Sequence, residues 1–317
     1  MLAPEDRWIW DFWHVQDHGI HHLYYLQAPK SLGDPELRHR NATIGHATST
    51  NLIDWTEHGT VLRPGGQGTV DATATWTGSV VRGDDGLWRM FYTGSAFLSP
   101  DSATNVETIA VAVSSDLHHW AKDDTFALAA DSAWYEKLGD SSWPEEAWRD
   151  PWVYRDETGL WHMLITARAN TGEVMERGVV GHATSQDLRA WTARPPLTGP
   201  DEGFAHLEVI QRVSINDQTF MIFSAHETVV AAQRCDRAHA TGTWAAVWTD
   251  RIELEHARNI TGPELYSGRV IAHNGLPVLL GFLLEFSGQG FIGGVSDPVD
   301  LEGLLLKSGL LSPQRAG

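Results

Sequence analysis

Ile44-Gly45-His46-Ala47-Thr48-Ser49-Thr50-Asn51-Leu52-Ile53-Asp54-Trp55 recurs with small changes as IAVAVSSDLHHW over Ile109–Trp120 and as VGHATSQDLRAW over Val180–Trp191. Each copy is an alternating stretch, then Ser-x-Asp/Asn-Leu, then a Trp three residues after the Leu. Alternation that runs into Ser/Asp turn chemistry is the signature of a short strand closed by a tight turn. A second element recurs five times as an aromatic or aliphatic strand: His22–Leu26, Trp88–Tyr92, Trp161–Ile165, Thr219–Phe223 and Pro277–Gly281. Gly/Asp turn signals such as Gly83-Asp84-Asp85-Gly86 and Asp156-Glu157-Thr158-Gly159 precede most copies. Their spacing of roughly 60–70 residues suits four-stranded units arranged radially, and five such units use up nearly the whole chain. The pattern predicts an all-β, five-bladed β-propeller forming a single domain over 1–317. A β-sandwich would not need so long a repeat. The stretch Glu145-Glu146-Ala147-Trp148 is expected to form at most a turn of helix.

Composition narrows the function classes. The net charge of -18 over 317 residues disfavours nucleic acid and anionic membranes, which would be repelled, and fits a neutral small-molecule partner. The lone cysteine, Cys235, allows no internal disulfide and no multi-cysteine metal site, and reads as a structural thiol. Met1–Arg7 lacks the layout of a signal peptide, and no apolar run reaches the ~18 residues of a membrane span; a cytoplasmic protein is the expectation. The 15 Trp are expected mostly in the core, with some free to stack on the apolar faces of sugar rings.

A propeller aims residues of its innermost strands at a central channel, so carboxylates among apolar inner-strand residues are the candidates for chemistry. Asp11 stands in Trp8-Ile9-Trp10-Asp11-Phe12-Trp13, where a lone carboxylate is costly unless hydrogen-bonded; a frayed N-terminal strand is the plainer alternative. Asp150 stands in Arg149-Asp150-Pro151. Arg149 is expected to lower its pKa, and Pro151 to hold it extended, although Asp-Pro also opens ordinary turns. Glu208 lies between Leu207 and Val209, surroundings expected to raise its pKa as a general acid requires; a solvent-facing strand Glu is the alternative, and Glu202 and Glu227 are other candidates for the acid. By the repeat count the three fall in blades one, three and four. Two carboxylates flanking a sugar are the minimum for glycoside hydrolysis.

These motifs resemble those of the five-bladed propeller glycoside hydrolases of families 32 and 68, which act on β-fructofuranosides. Trp10-Asp11-Phe12-Trp13 is similar to the nucleophile motif of the levansucrase branch, with Phe12 bulkier than the usual small residue. His22–Gln27 resembles the invertase-branch strand whose Gln binds the fructosyl unit, with Leu26 as an extra residue. Trp76-Thr77-Gly78-Ser79 is similar to the stretch lining the same subsite, and Arg149-Asp150-Pro151 to the motif whose Asp stabilises the transition state. The resemblance implies Asp11 as nucleophile, Glu208 as acid/base and Asp150 as stabiliser. It also implies sugar contacts from Trp10, Gln27, Trp76, Ser79 and Arg149, and a retaining mechanism without a cofactor. Val209-Ile210 after Glu208 departs from the family pattern. The sequence ends soon after the fifth unit, so the C-terminal β-sandwich of the invertase branch is not expected. The insertion from Trp134 to Trp148 is expected to rim the pocket and narrow the substrate range. Rival readings are an inverting propeller glycosidase on arabinofuranosides or xylosides, a transfructosylase, and a non-catalytic carbohydrate-binding propeller. No metal site is expected. The neighbouring His pairs 21–22 and 118–119 point to opposite faces of a strand, and His46 and His182, at equivalent repeat positions, read as structural.

Overall fold

In a computed structural model, which describes residues 1–234, 239–284 and 290–312, the repeated segment is the third strand of a blade and the turn that follows it. Ser49, Ser114 and Ser185 each accept, at 2.9 Å, the backbone N–H of the Leu three residues on. Asn51, Asp116 and Asp187 then accept the next two backbone N–H groups at 2.8–3.0 Å. This lattice holds Leu52, Leu117 and Leu188 at φ of 63°, 65° and 63°, a left-handed conformation that leucine rarely adopts. Burial of all three Leu side chains offsets the strain. Cys235 lies outside the described residues.

Four-stranded antiparallel sheets follow one another along the chain. Blade 1 is Arg7–Asp17, Ile20–Pro29, Thr43–Ser49 and Thr56–Leu62, and blade 2 is Ala74–Arg82, Trp88–Phe97, Asn105–Ser114 and Ala121–Lys122. Blade 3 is Trp148–Arg155, Trp161–Arg168, Gly178–Ser185 and Trp191–Arg194, and blade 4 is Glu208–Ile215, Gln218–Ala225, Gly242–Val247 and Arg258–Asn259. Blade 5 has Leu265–His273, Leu276–Leu283 and the short Val299–Asp300. Val295 bridges both Phe282 and Leu2, so the start of the chain completes the last blade and closes the ring. The five aromatic or aliphatic strands read from the sequence are the second strands of the five blades.

The apolar residues sort into five clusters, one at each junction between blades. Tyr24 and Trp13 meet Met90 and Tyr92 between blades 1 and 2, and Phe91 and Ile109 meet Trp148 and Val153 between blades 2 and 3. Leu164 meets Ile210 and Met221 at the third junction. Phe220 and Ile222 meet Leu279 at the fourth, where helix Leu301–Ser308 covers the outside with Leu301 and Leu305. Ile271 and Leu280 meet Ile9 and Phe12 where the ring closes. The Glu145–Glu146 pair is not helical but a two-residue strand parallel to Asn105 and Val106. The open edge of the third strand of blade 2 supplies hydrogen bonds there, which outweighs a weak local helix preference. Among the described residues no helix is long and apolar enough to cross a membrane.

Every innermost strand carries one β-bulge, at Trp10/Phe12, Trp76/Gly78, Arg149/Trp152, Glu208/Gln211 and Tyr266/Arg269. The residues set out of register are Asp11, Thr77, Asp150-Pro151, Val209-Ile210 and Ser267-Gly268. Asp150, Val209 and Ser267 have φ of 58°, 55° and 50°; for a β-branched valine this is a true outlier. Pro151 therefore does not hold Asp150 extended, as the sequence led us to expect. The bulge turns the residue over, and Thr93 Oγ1 fixes it by accepting the Asp150 N–H at 2.9 Å. The carbonyls freed around the bulges converge on Arg269, which is fully buried. Its guanidinium donates to Ile210 O at 2.9 Å and to Phe12 O and Val209 O at 3.3 Å. Replacing Arg269 by Met would strand three carbonyls from two blades. We expect a loss of about 3 kcal/mol in urea unfolding, against less than about 1 kcal/mol for the surface change Arg251→Met.

Candidate active site

Bulges re-aim side chains, and here the displaced Asp11 and Asp150 share one cavity of about 230 Å3 with Glu208, the in-register residue just before the blade 4 bulge. Asp11, Asp150 and Glu208 all line it, with Trp10, Trp76 and Arg149. Asp11 is gripped from both neighbouring blades. Thr77 Oγ1 donates to its Oδ2 at 2.7 Å and Ser267 Oγ to its Oδ1 at 2.6 Å. Burial pushes the Asp11 pKa up, these two hydrogen bonds oppose it, and the nearby Glu208 charge pushes the same way as burial.

Asp150 accepts from Thr166 Oγ1 at 2.9 Å and from the Val209 N–H at 3.2 Å. The positive φ of Val209 thus belongs to a residue whose amide points at a catalytic candidate. Contrary to the sequence expectation, Asp150 is not held low. Burial raises it to about 6; Arg149, with Nε 3.7 Å away, pulls the other way, and Asp11 and Glu208 add to the rise. Desolvation of a fully enclosed carboxylate outweighs one guanidinium that is shared among several acids.

That sharing is the electrostatic centre of the site. Arg149 Nη2 donates to Glu208 Oε1 at 2.7 Å and meets His206 Nδ1 at 2.9 Å. Nη1 reaches both oxygens of the buried Glu107 at 3.2 Å and Glu145 at 3.4 Å. Burial pushes Glu107 up to about 8 against the pull of Arg149, while the surrounding carboxylates, against the cost of burial, hold Arg149 itself firmly protonated. Glu208 does not sit in the apolar setting expected from Leu207 and Val209. It is half-buried, with one oxygen on Arg149 and the other accepting the Tyr266 hydroxyl. Glu202 and Glu227 do not line the cavity.

The sugar-contact candidates divide. Trp10 and Trp76 line the cavity, and Trp76 is fixed by its Nε1–H donating to His39 O at 2.8 Å. Gln27 and Ser79 lie elsewhere. Because Trp10 pairs with Leu26 and Ile9 with Gln27, Leu26 takes the cavity position, while Gln27 donates to Thr60 Oγ1 at 2.8 Å. Ser79 Oγ accepts the Val153 N–H at 3.2 Å and ties blade 2 to blade 3; the bulge at Trp76/Gly78 presents Thr77 to the cavity instead. Of the insertion from Trp134 to Trp148, Glu145 reaches the cavity. Glu136 is buried behind it, paired with Arg168 at 2.5 Å and Arg177 at 2.6 Å. The residues missed from sequence are Thr77, Tyr266, Ser267 and His206. Two of these follow Glu264-Leu265 on the inner strand of blade 5, and the signal for them was the rule already in use: polar residues on an inner strand.

Comparison with known proteins agrees with this architecture. The family model for the glycosyl hydrolases family 32 N-terminal domain matches residues 2–280. Sucrose-6-phosphate hydrolase of Escherichia coli is 26% identical over 255 residues, 75% of this chain and 48% of that protein. Raffinose invertase of Escherichia coli is 28% identical over 194 residues, 60% of this chain and 35% of that protein. The chain thus spans less than half the length of these relatives. Among solved structures, the inulosucrase of Halalkalicoccus jeotgali bound to kestose superposes with a TM-score of 0.73 at 22% identity, covering 92% of this chain and 84% of that one. The β-fructofuranosidase BmSUC1 of Bombyx mori gives 0.67 at 21%, covering 93% and 60%. At such identities the superpositions speak for the fold, and the match over 2–280 decides the family: the chain belongs to the glycosyl hydrolases of family 32.

Proposed function

We propose that this protein hydrolyses β-fructofuranosides with retention of configuration. The observation that carries the reading is the convergence of Asp11, Asp150 and Glu208, from three different blades, on one cavity with their roles already separated by their surroundings. Asp11 has only neutral donors on its two oxygens and serves as the nucleophile that attacks the anomeric carbon. Glu208, with Arg149 and Tyr266 on its oxygens, is the acid that protonates the leaving oxygen and then the base that activates water. Asp150, anchored on the Val209 amide and Thr166, stabilises the oxocarbenium-like transition state. The aromatic faces of Trp10 and Trp76 suit the apolar C–H surface of a furanose. His39, Trp76 and Glu145 also line an adjoining groove of about 570 Å3, which offers room for the rest of the glycoside. The names of the E. coli relatives, a sucrose-6-phosphate hydrolase and a raffinose invertase, support fructosides as the substrate class.

The reading is tested by assaying sucrose, sucrose 6-phosphate, raffinose, inulin and aryl arabinofuranosides, with NMR of the first-formed product. We expect fructose released in its β anomer, and kcat reduced by at least ~10³-fold in Asp11→Ala and Glu208→Ala. Inverted product, arabinofuranoside preference or full activity in either variant would overturn it. Tyr266→Phe is expected to lower kcat by roughly 10-fold or more through Glu208, with KM little changed.

Two pH effects follow from the cavity. Thr77 and Ser267 favour ionised Asp11, so Thr77→Val with Ser267→Ala should raise its pKa. The acid limb of kcat/KM then moves to higher pH; an unmoved limb would remove Asp11 from the nucleophile's role. Asp150 keeps its proton in the fold up to about 6, against 3.8 for an ordinary Asp. Between those values the unfolded chain has lost a proton that the fold retains, so stability falls as pH rises through that window. Asp150→Asn should flatten this slope in urea unfolding midpoints measured from pH 4 to 7.

A further inference from the structure

Away from the cavity, at the outer side of the junction between blades 1 and 2, four histidines gather that no role in hydrolysis accounts for. The ring centroids of His46, His58 and His118 are 4.8–4.9 Å apart in all three pairings. One ring nitrogen of each lies within 4.8 Å of the other two. His22 stacks on His46 at 5.2 Å, with its Nδ1 3.1 Å from His46 Nε2. His46 is fully buried, yet its Nδ1 has no hydrogen-bond partner, an arrangement that costs free energy unless something takes that nitrogen's lone pair or proton.

The molecule contains its own control. His162 and His182 of blade 3 repeat the stacked pair, at 5.2 Å and with nitrogens 3.0 Å apart, so the pair itself is part of the blade architecture. What differs is the neighbour. In blade 1 the Thr48 hydroxyl bonds His58 Nε2 at 2.8 Å, whereas in blade 3 the equivalent Thr184 accepts from Arg194 Nε at 2.9 Å. Blade 3 thus places an obligate cation where blade 1 places a ligand, and blade 2 brings in His118 as a third imidazole.

We propose that His46, His58 and His118 form a three-imidazole site for a zinc-class divalent transition cation that ties blade 1 to blade 2. The lone pairs sort consistently. With His46 donating Nε2–H to His22 Nδ1, the orphan Nδ1 of His46 is free to ligate. With His58 donating Nε2–H to Thr48, its Nδ1 is free as well. His22 and Thr48 are then positioning residues of the kind that fix metal-bound imidazoles. Zinc–nitrogen bonds of ~2.0–2.1 Å put ligand nitrogens about 3.4 Å apart in a tetrahedron. Closing the set from separations of up to 4.8 Å asks for up to about 1.4 Å per pair, which movement of His58 and His118 supplies, and water takes the fourth position. Three imidazoles with no thiolate or carboxylate suit zinc, nickel or copper(II) rather than magnesium or calcium. The sequence argument against a metal weighed neighbouring pairs and read His46 as structural from its repeat position; this set is assembled from three separate segments. The proposal does not depend on the hydrolytic reading.

The test titrates Zn2+ into the full, chelator-treated chain by calorimetry, with Co2+ absorption to report tetrahedral nitrogen ligation and thermal unfolding with and without Zn2+. We expect one equivalent bound, a tetrahedral Co2+ spectrum, and a higher Tm with the metal. His58→Arg, which copies blade 3, and His118→Asn should each weaken binding at least ~30-fold. His22→Phe should weaken it by roughly 10–100-fold, and His162→Asn should leave it unchanged. Circular dichroism identifies variants that have not folded, and the exposed His58 position keeps one variant free of that risk. No stoichiometric binding by the wild type, or binding that survives both His58→Arg and His118→Asn, overturns the proposal.

Discussion

A ring of sheets leaves the inner edge of every innermost strand without a neighbouring strand, and buried backbone groups must still be satisfied. The protein meets that constraint with bulges at equivalent heights in all five blades. Below them Arg269 collects the carbonyls of Phe12, Val209 and Ile210. Above them the displaced residues bond one another: Thr77 and Ser267 to Asp11, and the Val209 amide to Asp150. One geometric necessity thus both closes the channel and builds the reactive surface. Because each acid is held by residues from adjoining blades, the order of the blades around the ring is itself a requirement for the site.

The charge arrangement carries a cost as well as a use. Arg149 lies against Glu107, Glu145, Glu208 and, more loosely, Asp150. One cation cannot hold four carboxylates ionised in a buried setting, so the group divides. Glu107, enclosed on all sides, and Asp150 are pushed toward the protonated form by burial; the contact to Glu208, at 2.7 Å, is the shortest of the four. Arg149, which also lines the cavity, is the cation that these carboxylates share.

Much of the fold was legible because the repeat carries its own physics. The Ser and Asp/Asn side chains at the turn after the third strand bond their local backbone, and the buried Leu that follows marks the blade edge. The assignment of Asp11, Asp150 and Glu208 to blades one, three and four followed from counting. Register was not legible. A bulge inserts a residue that no alternation pattern reports, and the cavity is lined by Leu26 and Thr77 rather than by Gln27 and Ser79, the contacts that the resemblance implies. The bulge of blade 3 likewise defeats the rule that a residue before proline is extended, since Asp150 has φ 58°. The polar character of the blade 5 inner strand is visible in the sequence, but the pairing of Tyr266 with Glu208 is made across a blade junction and no local pattern reports it.

The contact between Leu2 and Val295, with the Gly294 N–H on Ile9 O at 2.7 Å, has a kinetic meaning. It joins segments from opposite ends of the chain, so it cannot form until the intervening blades have shortened the path between them. Closing so long a loop in an unfolded chain costs roughly 5 kcal/mol of entropy, and contacts of this separation belong to slow folders. Because Ser267 on the last blade bonds Asp11 on the first, the surroundings of Asp11 are completed at the same seam. A nascent chain with four finished blades would therefore hold Asp150 by both its partners and still lack Ser267 for Asp11 and Tyr266 for Glu208.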